Sequence, residues 1–370
     1  MSSQTITINI VVYNGERYVR HCLNAILTQT YPHQNIEINI LDNNSTDKTR
    51  EIIQEWASFG KLRIPKFSFV ESKENLGMWP GQEELLKISN GKYILAMAID
   101  VILDKNFLAN AFKRMGSDDK IGGLEAKIYK FDLTPDGFFP SRIIDTCGFQ
   151  IFKSRRVINI GHGQEDKDVS FAETSADIPL TNKALSNKSD DKQFNFNKYQ
   201  EIFGVEGAAP FFRKEALENI RIKGKLIDDD FFWYGDDLDL AWRMKLFGWK
   251  EVFDPDVIAW HDRQTTKTLK KNFSDFIKLR RAIPIKKRRL DWRNTRWTII
   301  KNDYIINILK DFPSMFKREL QMAIYILFFE PKILLEIPKF IAMIPKMLIK
   351  RREVMKRAII KPDEINKWFS

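Results

Sequence analysis

Residues 5–13 read TITINIVVY, a run dominated by β-branched side chains that suits a strand buried on both faces. Residues 16–29 then carry Val19, Cys22, Leu23, Ile26 and Leu27 at helical spacing, and residues 36–41 (IEINIL) return to strand character. A helix is expected over 48–59, a strand over 66–71, a helix over 82–89 and a strand over 93–100 (YILAMAID). Strand and helix in alternation predict a mainly parallel sheet covered by helices on both faces. Such sheets bind ligands beyond the carboxyl ends of their strands. Polar residues stand at those ends: Tyr13 with Asn14, Asp42 through Asn44, and Asp100.

The chain has 370 residues, 44% of them hydrophobic, enough for a large core and for more than one domain. Two cysteines, Cys22 and Cys147, are too few for a disulfide framework and read as buried thiols in a reducing compartment. The first residues lack the basic start and long apolar core of a signal peptide. The net charge of +11 divides unevenly: residues 262–370 carry +16 and the remainder −5. An acidic body therefore bears a basic tail. Its basic runs and tryptophans raise a nucleic-acid reading, but its prolines and long aliphatic stretches suit an interface better. The longest uncharged run, 320–329, is too short for a spanning helix, which needs about 20 residues. Broken amphipathic helices lying on an anionic membrane fit instead. Each nearby Lys or Arg contributes about 1 kcal/mol on such a surface, so residues 286–289 (KKRR) would give about 4. Packing of the tail on the body, or self-association into a homo-oligomer, is the alternative.

After Gly122 the strands become broken. Residues 164–200 are polar and expected to form a mobile loop, and a strand is expected over 201–213. Residues 231–243 then read FFWYGDDLDLAWR, three aspartates crowded against four rings. Asp236 suits an N-cap and Asp239 the matching capping-box position; Asp237 is left over and faces another direction, since adjacent helical residues diverge by about 100°. Taken singly, each polar feature has a bland reading: a capped turn for 42–47, a solvated strand end for Asp100, a core histidine for His261.

In combination they resemble glycosyltransferase family 2, the inverting nucleotide-sugar transferases of GT-A fold. VVYNGERYVRHCLNAILTQTYP, IEINILDNNSTDKT, ENLG and YILAMAIDVIL are similar to that family's N-terminal half, and GVEGAAPFFRKEAL, FFWYGDDLDLAWRMKLFGWK and His261 to its C-terminal half. DTCGFQIF and GHGQED, within 145–166, are similar to a rhamnosyltransferase-like subgroup of surface-polysaccharide enzymes. The resemblance implies an α/β, GT-A (Rossmann-like) mixed sheet over 1–262, with a nucleotide half (1–121) and an acceptor half (122–262). A basic amphipathic α-helical region would occupy 263–370.

It also implies roles. Val12 and Tyr13 would line the base pocket, Asp42 would bond the base or ribose, and Asn75 and Gly77 would lie near the nucleotide. Asp100 would hold Mg²⁺ or Mn²⁺ on the diphosphate, with His261 completing the metal shell. Asp237 would be the general base and Asp236 its acidic neighbour. Here Ala98-Ile99-Asp100 replaces the family's Asn-Pro-Asp, and Asp236-Asp237 its Glu-Asp. The implied partners are a dTDP-rhamnose or UDP-sugar donor, a lipid-linked or glycan acceptor and the cytoplasmic membrane face, with no nucleic acid. A non-catalytic nucleotide-sugar or glycan-binding module is the competing expectation.

Overall fold

The computed structural model describes residues 5–134, 137–168, 194–263 and 273–370. Strands β1 (Ile6–Val12), β2 (Ile36–Asp42), β3 (Lys66–Glu71) and β4 (Tyr93–Ala98) run parallel, with β1 between β2 and β4. Helices α1 (Val19–Leu27), α2 (Thr49–Gly60) and α3 (Met78–Leu86) connect them. β1 and β2 are buried along their whole length yet still alternate apolar and polar residues; the polar side chains satisfy one another on one covered face, Thr7 donating to Glu37 and Asn39 to Asn9. Short β5 (Val101–Leu103) and α4 (Phe107–Met115) close this half.

The second half adds β6 (Ile121–Thr134), β7 (Gly137–Thr146), the small pair β8 (Phe149–Ile151) and β9 (Val157–Asn159), then β10 (Gln200–Ile202) and β11 (Phe211–Arg213). Helices α5 (Lys214–Asn219) and α6 (Asp236–Leu246) precede β12 (Lys250–His261). Among the described residues the main sheet runs β10-β12-β6-β11-β4-β1-β2-β3, with β5 paired to β12 and β7 to β6. β11 is antiparallel to both its neighbours, so the sheet is mixed.

Three local expectations change. The single strand expected over 201–213 is two short strands around a loop, because Glu206 turns its N–H to Glu125 Oε2 (2.7 Å) and Gly204 packs against Ala241 with no room for a Cβ. Helix α3 begins at Met78, four residues early, directly behind Gly77, whose φ of +94° ends the preceding loop. Finally, Gly235 (φ +85°), not Asp236, is the N-cap of α6. Asp239 does not close a capping box, because Arg243 and Lys301 draw its carboxylate into ion pairs at 2.9 and 2.8 Å. Most of the loop expected over 164–200 lies outside the described residues.

The C-terminal region is helical: α7 (Phe273–Ala282), α8 (Ile285–Asn302), α9 (Ile305–Lys310), α10 (Phe312–Phe329), α11 (Ile337–Arg357) and α12 (Pro362–Asn366). It packs on the body through buried ion pairs and rings. Arg155 is fully buried, pairs with Asp303 (2.7 Å) and Asp311 (2.6 Å), and lies 3.9 Å from the Phe369 ring. Lys301 joins Asp228 and Asp239 (2.9 and 2.8 Å), and Trp297 is buried against Phe231. Half of the KKRR run also faces inward: Arg288 pairs with Glu330 (2.8 Å) and Arg289 with Glu336 (2.7 Å). Those two guanidiniums are not available to a lipid surface. No helix among the described residues is long and apolar enough to cross a membrane.

Candidate active site

The register of the sheet gathers the N-terminal residues. Val12 sits opposite Asp42 on β2, and Val11 opposite Ala98 on β4, so Tyr13, Asp42 and Asp100 leave the sheet along one edge. Val12 is fully buried and forms the floor, whereas Tyr13 is 49% exposed. Asp42 is also fully buried; it accepts from Arg50 Nε (2.5 Å) and Ser45 N (3.1 Å), so in this state its carboxylate anchors the loop. Asn43, which the sequence did not single out, holds the next loop with both ends of its amide. It donates to Gly77 O (3.0 Å) and accepts from Leu76 N (3.2 Å). Asn75 is exposed and bonds Gly77 N (2.9 Å). Gly77 is required twice: by its φ, and because a Cβ would stand 3.1 Å from Phe232 O. The donor-side loop therefore touches the aromatic loop of the other half.

Asp100 meets β12. His261 pairs in register with Val101, and its Nε2 lies 3.5 Å from Asp100 Oδ2. The other ring nitrogen, Nδ1, is 2.9 Å from Asp145 Oδ2. Asp145 has no exposed surface and also accepts from Arg263 Nε (2.8 Å), while Arg263 Nη2 bonds Glu206 Oε1 (2.9 Å). Burial alone would push these charges toward neutrality, but their mutual pairing prevails. Arg263 and the two histidines His162 and His261 hold Asp145 well below the usual carboxylate range, and Asp100 and Asp145 raise His261 to about 10.

A carboxylate fixing one nitrogen of an imidazole while the other faces a second carboxylate is how histidine ligands of metals are oriented. Asp100 and His261 thus fit a divalent cation. Among the described residues no three acidic, His or Cys side chains form a ready cage, so diphosphate and water oxygens would supply the remaining ligands, as Mg²⁺ commonly requires.

Asp237 belongs to the same constellation. Gly207 is bare where a Cβ would lie 3.5 Å from Asp237 Oδ2 and 3.7 Å from Trp79 Nε1. Its neighbour Ala208 bonds Ala98 N through its carbonyl (3.0 Å), two residues before Asp100. Glu206 completes the link to Arg263, Asp145, His261 and Asp100. Asp237 is partly buried and accepts from Leu238 N (2.8 Å). Desolvation, then the negative charge of Glu206, raise it to about 7, against the pull of Leu238 N–H and Arg263. Asp236 points elsewhere. It is 4% exposed, its Oδ1 has no hydrogen-bond partner, and burial, then the charges of Asp237 and Asp239, push its carboxyl well above the usual carboxylate range. It is an interior group that supports α6, not a second acid open to a substrate.

The rings before Asp237 form a cationic–aromatic shelf. Phe232 and Trp233 are 44% and 38% exposed. Phe232 and Tyr234 hold positive φ (66° and 67°), a strained state for ring-bearing residues. Asn294 of α8 sustains it by donating its amide to the carbonyls of Phe231, Trp233 and Tyr234 (3.1, 2.8 and 2.7 Å). Lys287 lies 4.3 Å from the Trp233 ring and Lys286 5.1 Å from Phe232.

Sequence reading assigned no role to Asp145, Glu206, Asn43, Arg263 or Asn294, although the first three lie within the stretches DTCGFQIF, GVEGAAPFFRKEAL and 42–44. Asp145 carried two signals, its place at the head of DTCGFQIF and its charge at the end of the apolar pair Ile143-Ile144. The DTCGFQIF and GHGQED motifs have a local structural use: His162 Nδ1 lies 2.7 Å from Asp145 O, and Asp166 pairs with buried Lys127.

A mixed sheet of this order, with carboxylates at the ends of its parallel strands and a helical C-terminal region, is a GT-A-like glycosyltransferase fold. The model of "Glycosyl transferase family 2" matches residues 7–221, more than half of the chain, and the chain belongs to that family. It is 30% identical over 164 residues to the poly(ribitol-phosphate) beta-glucosyltransferase of Bacillus spizizenii, a match spanning 40% of this chain and 25% of that protein. It is 31% identical over 110 residues to glycosyltransferase GlyA of Streptococcus pneumoniae, spanning 30% and 15%. The chain thus matches only a fraction of either relative. Among solved structures, the Pyrobaculum calidifontis mannosyltransferase PcManGT, in complex with GDP-Man and Mn²⁺, superposes with a TM-score of 0.50 at 14% identity. That match covers 95% of this chain and 85% of that one. GalNAc-T7 with UDP, GalNAc and Mn²⁺ gives 0.52 at 11% identity, covering 80% and 51%.

Proposed function

We propose that this chain is an inverting glycosyltransferase that moves a sugar from a nucleoside-diphosphate donor to a hydroxyl of a lipid-linked or polymeric acceptor. The observation that supports this most is the continuous set of contacts from Glu206 through Arg263, Asp145 and His261 to Asp100, with Asp237 Oδ2 beside Gly207, the residue after Glu206. It sets a carboxylate with a pKa near 7 near a carboxylate–imidazole pair whose members, Asp100 and His261, come from distant strands.

In this reading Val12 and Tyr13 bound the base, Asn43 and Asn75 shape the loop around Gly77, and Asp42 reaches the nucleotide only by exchanging its Arg50 contact. Asp100 and His261 would hold a divalent cation, which when bound would offset the charge released onto the diphosphate. Asp237 takes the acceptor hydroxyl proton as that oxygen attacks the anomeric carbon opposite the leaving group. Such a base is most useful with a pKa near the working pH, and contributes about 10²–10⁴-fold. One base opposite the leaving group inverts the anomeric centre, as in inverting glycosidases. Glu206 and Arg263 set the charge around Asp237. The rings of residues 232–234 exclude water and offer a face to the acceptor, with Lys286 and Lys287 beside them for an anionic one.

The likeness to a beta-glucosyltransferase of poly(ribitol-phosphate) favours a glucosyl group as the sugar transferred. A rhamnosyl donor rests on the 145–166 motifs alone. A thermal-shift panel of UDP, dTDP and GDP, with and without Mn²⁺, tests the donor, and turnover by Asp237→Asn tests the base. The enzymatic reading requires that this variant bind nucleotide normally and transfer no sugar. Retained turnover would assign the base to another group, and a wild type that transfers no sugar from any common donor with Mn²⁺ present would favour the binding-module alternative.

A further inference from the structure

We infer that the outer face of the C-terminal helices is a preformed docking surface for an anionic lipid bilayer. This deepens the reading of a lipid-linked acceptor, and its test is independent of turnover.

Three observations carry it. First, α10 presents Phe312, Phe316, Leu320, Ile324 and Phe328 at four-residue spacing, each 50% exposed or more. Ile305, Ile306 and Leu309 of α9 are exposed by 62–67%, and Leu335 by 65%. So many large apolar side chains on adjoining helices exceed the scattered exposure of ordinary surfaces. The opposite side of α10 is conventionally packed: Tyr325 and Ile326 are buried with Ile333. The stripe is therefore a second apolar face, with a helix already held on the body beneath it.

Second, the charges are sorted. Every acidic side chain of residues 305–350 is paired with arginine: Asp311 with Arg155, Glu319 with Arg296, Glu330 with Arg280 and Arg288, and Glu336 with Arg289 and Arg293. Lys317, Lys332 and Lys339 are exposed, and no carboxylate among the described residues pairs with them. An apolar stripe rimmed by unpaired lysines complements anionic headgroups over acyl chains. A two-fold contact with a second copy would set Lys317, Lys332 and Lys339 against their own copies, which their like charge opposes.

Third, the helices cannot sink through. With no helix able to span among the described residues, α10 must lie in the interface plane. Helix α8, which packs against α11, also holds the aromatic loop through Asn294. A docked chain would thus present its acceptor shelf in a fixed relation to the bilayer.

The test uses the full chain and co-sedimentation with vesicles of phosphatidylglycerol and phosphatidylcholine, against phosphatidylcholine alone. Wild type should pellet with the anionic vesicles, and added salt should weaken the association. Phe312→Ser/Phe316→Ser/Phe328→Ser should lower partitioning about a hundredfold, and Lys317→Glu/Lys332→Glu/Lys339→Glu should remove the preference for anionic lipid. Nucleotide binding and melting, measured on the same samples, should match wild type, separating loss of docking from loss of folding. The charge variant decides if the phenylalanine variant does not fold. Wild type staying in the supernatant, both variants pelleting like wild type, or a solution dimer dissociated by the phenylalanine changes would each overturn the inference. Failure of Asp237→Asn to abolish transfer would count against the catalytic reading and leave the docking surface untouched.

Discussion

Replacing Asp237 with Asn should make the protein more stable while stopping sugar transfer. Desolvation and Glu206 raise the folded-state pKa of Asp237 from 3.8 to about 7. Between those values the folded chain keeps a proton that the unfolded chain releases, so stability falls as pH rises through that window. Each pH unit corresponds to about 1.4 kcal/mol, and above pH 7 the ionised side chain costs the fold about 4 kcal/mol. Asparagine carries no charge at any pH and can still accept from Leu238 N–H through the same oxygen, a bond of 2.8 Å in the native chain. The stability difference between variant and wild type should therefore be near zero at pH 4 and grow steadily through pH 5 and 6. It should level off above pH 7 at a few kcal/mol. Urea unfolding at these pH values in metal-free buffer measures it directly. A variant no more stable than wild type at pH 8, or a gain independent of pH, would mean that Asp237 is not held in a desolvated, negatively charged site.

The same geometry has other consequences. Glu206→Gln removes the main negative neighbour of Asp237, so the acidic limb of the kcat/KM profile should move to lower pH; an unchanged limb would assign the rate to another group. Gly77→Ala should lose about 1–2 kcal/mol from its φ of +94°, and further activity because the new Cβ presses on Phe232 O. Its nucleotide affinity and its melting temperature should fall together. Arg155→Met leaves Asp303 and Asp311 buried without their cation, a change that should cost about 3–5 kcal/mol in chemical unfolding. Asn294→Ala frees the strained aromatic loop; acceptor KM should rise with donor KM unchanged, and a purely structural role would instead move melting alone.

The parallel half of the fold was legible because its strands are rich in β-branched and aromatic residues and its helices have clear stripes. β1, β2, β3 and β4 lie where the pattern put them, within two residues. The 201–213 segment was not, since its apolar composition hides a loop turned by Gly204 and by the Glu206–Glu125 contact. Asp100, His261 and Asp237 stood out at strand and helix ends. The groups that join them, Asp145, Glu206 and Arg263, are single charged residues without periodicity, and their meaning depends on contacts spanning 57–118 positions. The KKRR run misled for the same reason. Composition reads such a run as solvated or lipid-facing, but Arg288 and Arg289 answer Glu330 and Glu336, more than forty residues on. Trp297, which invited a nucleic-acid reading, is buried against Phe231.

One shared nucleotide site with divided labour is most directly tested by calorimetric titration of UDP and dTDP, with Mn²⁺ present and absent, into wild type, Asp100→Asn and Asp237→Asn. If Asp100 holds the cation on the diphosphate and Asp237 acts only on the acceptor, the Asp100 variant should lose the gain in affinity that Mn²⁺ confers. The Asp237 variant should bind as tightly as wild type. Equal Mn²⁺ dependence in wild type and the Asp100 variant, or loss of nucleotide binding in the Asp237 variant, would contradict it.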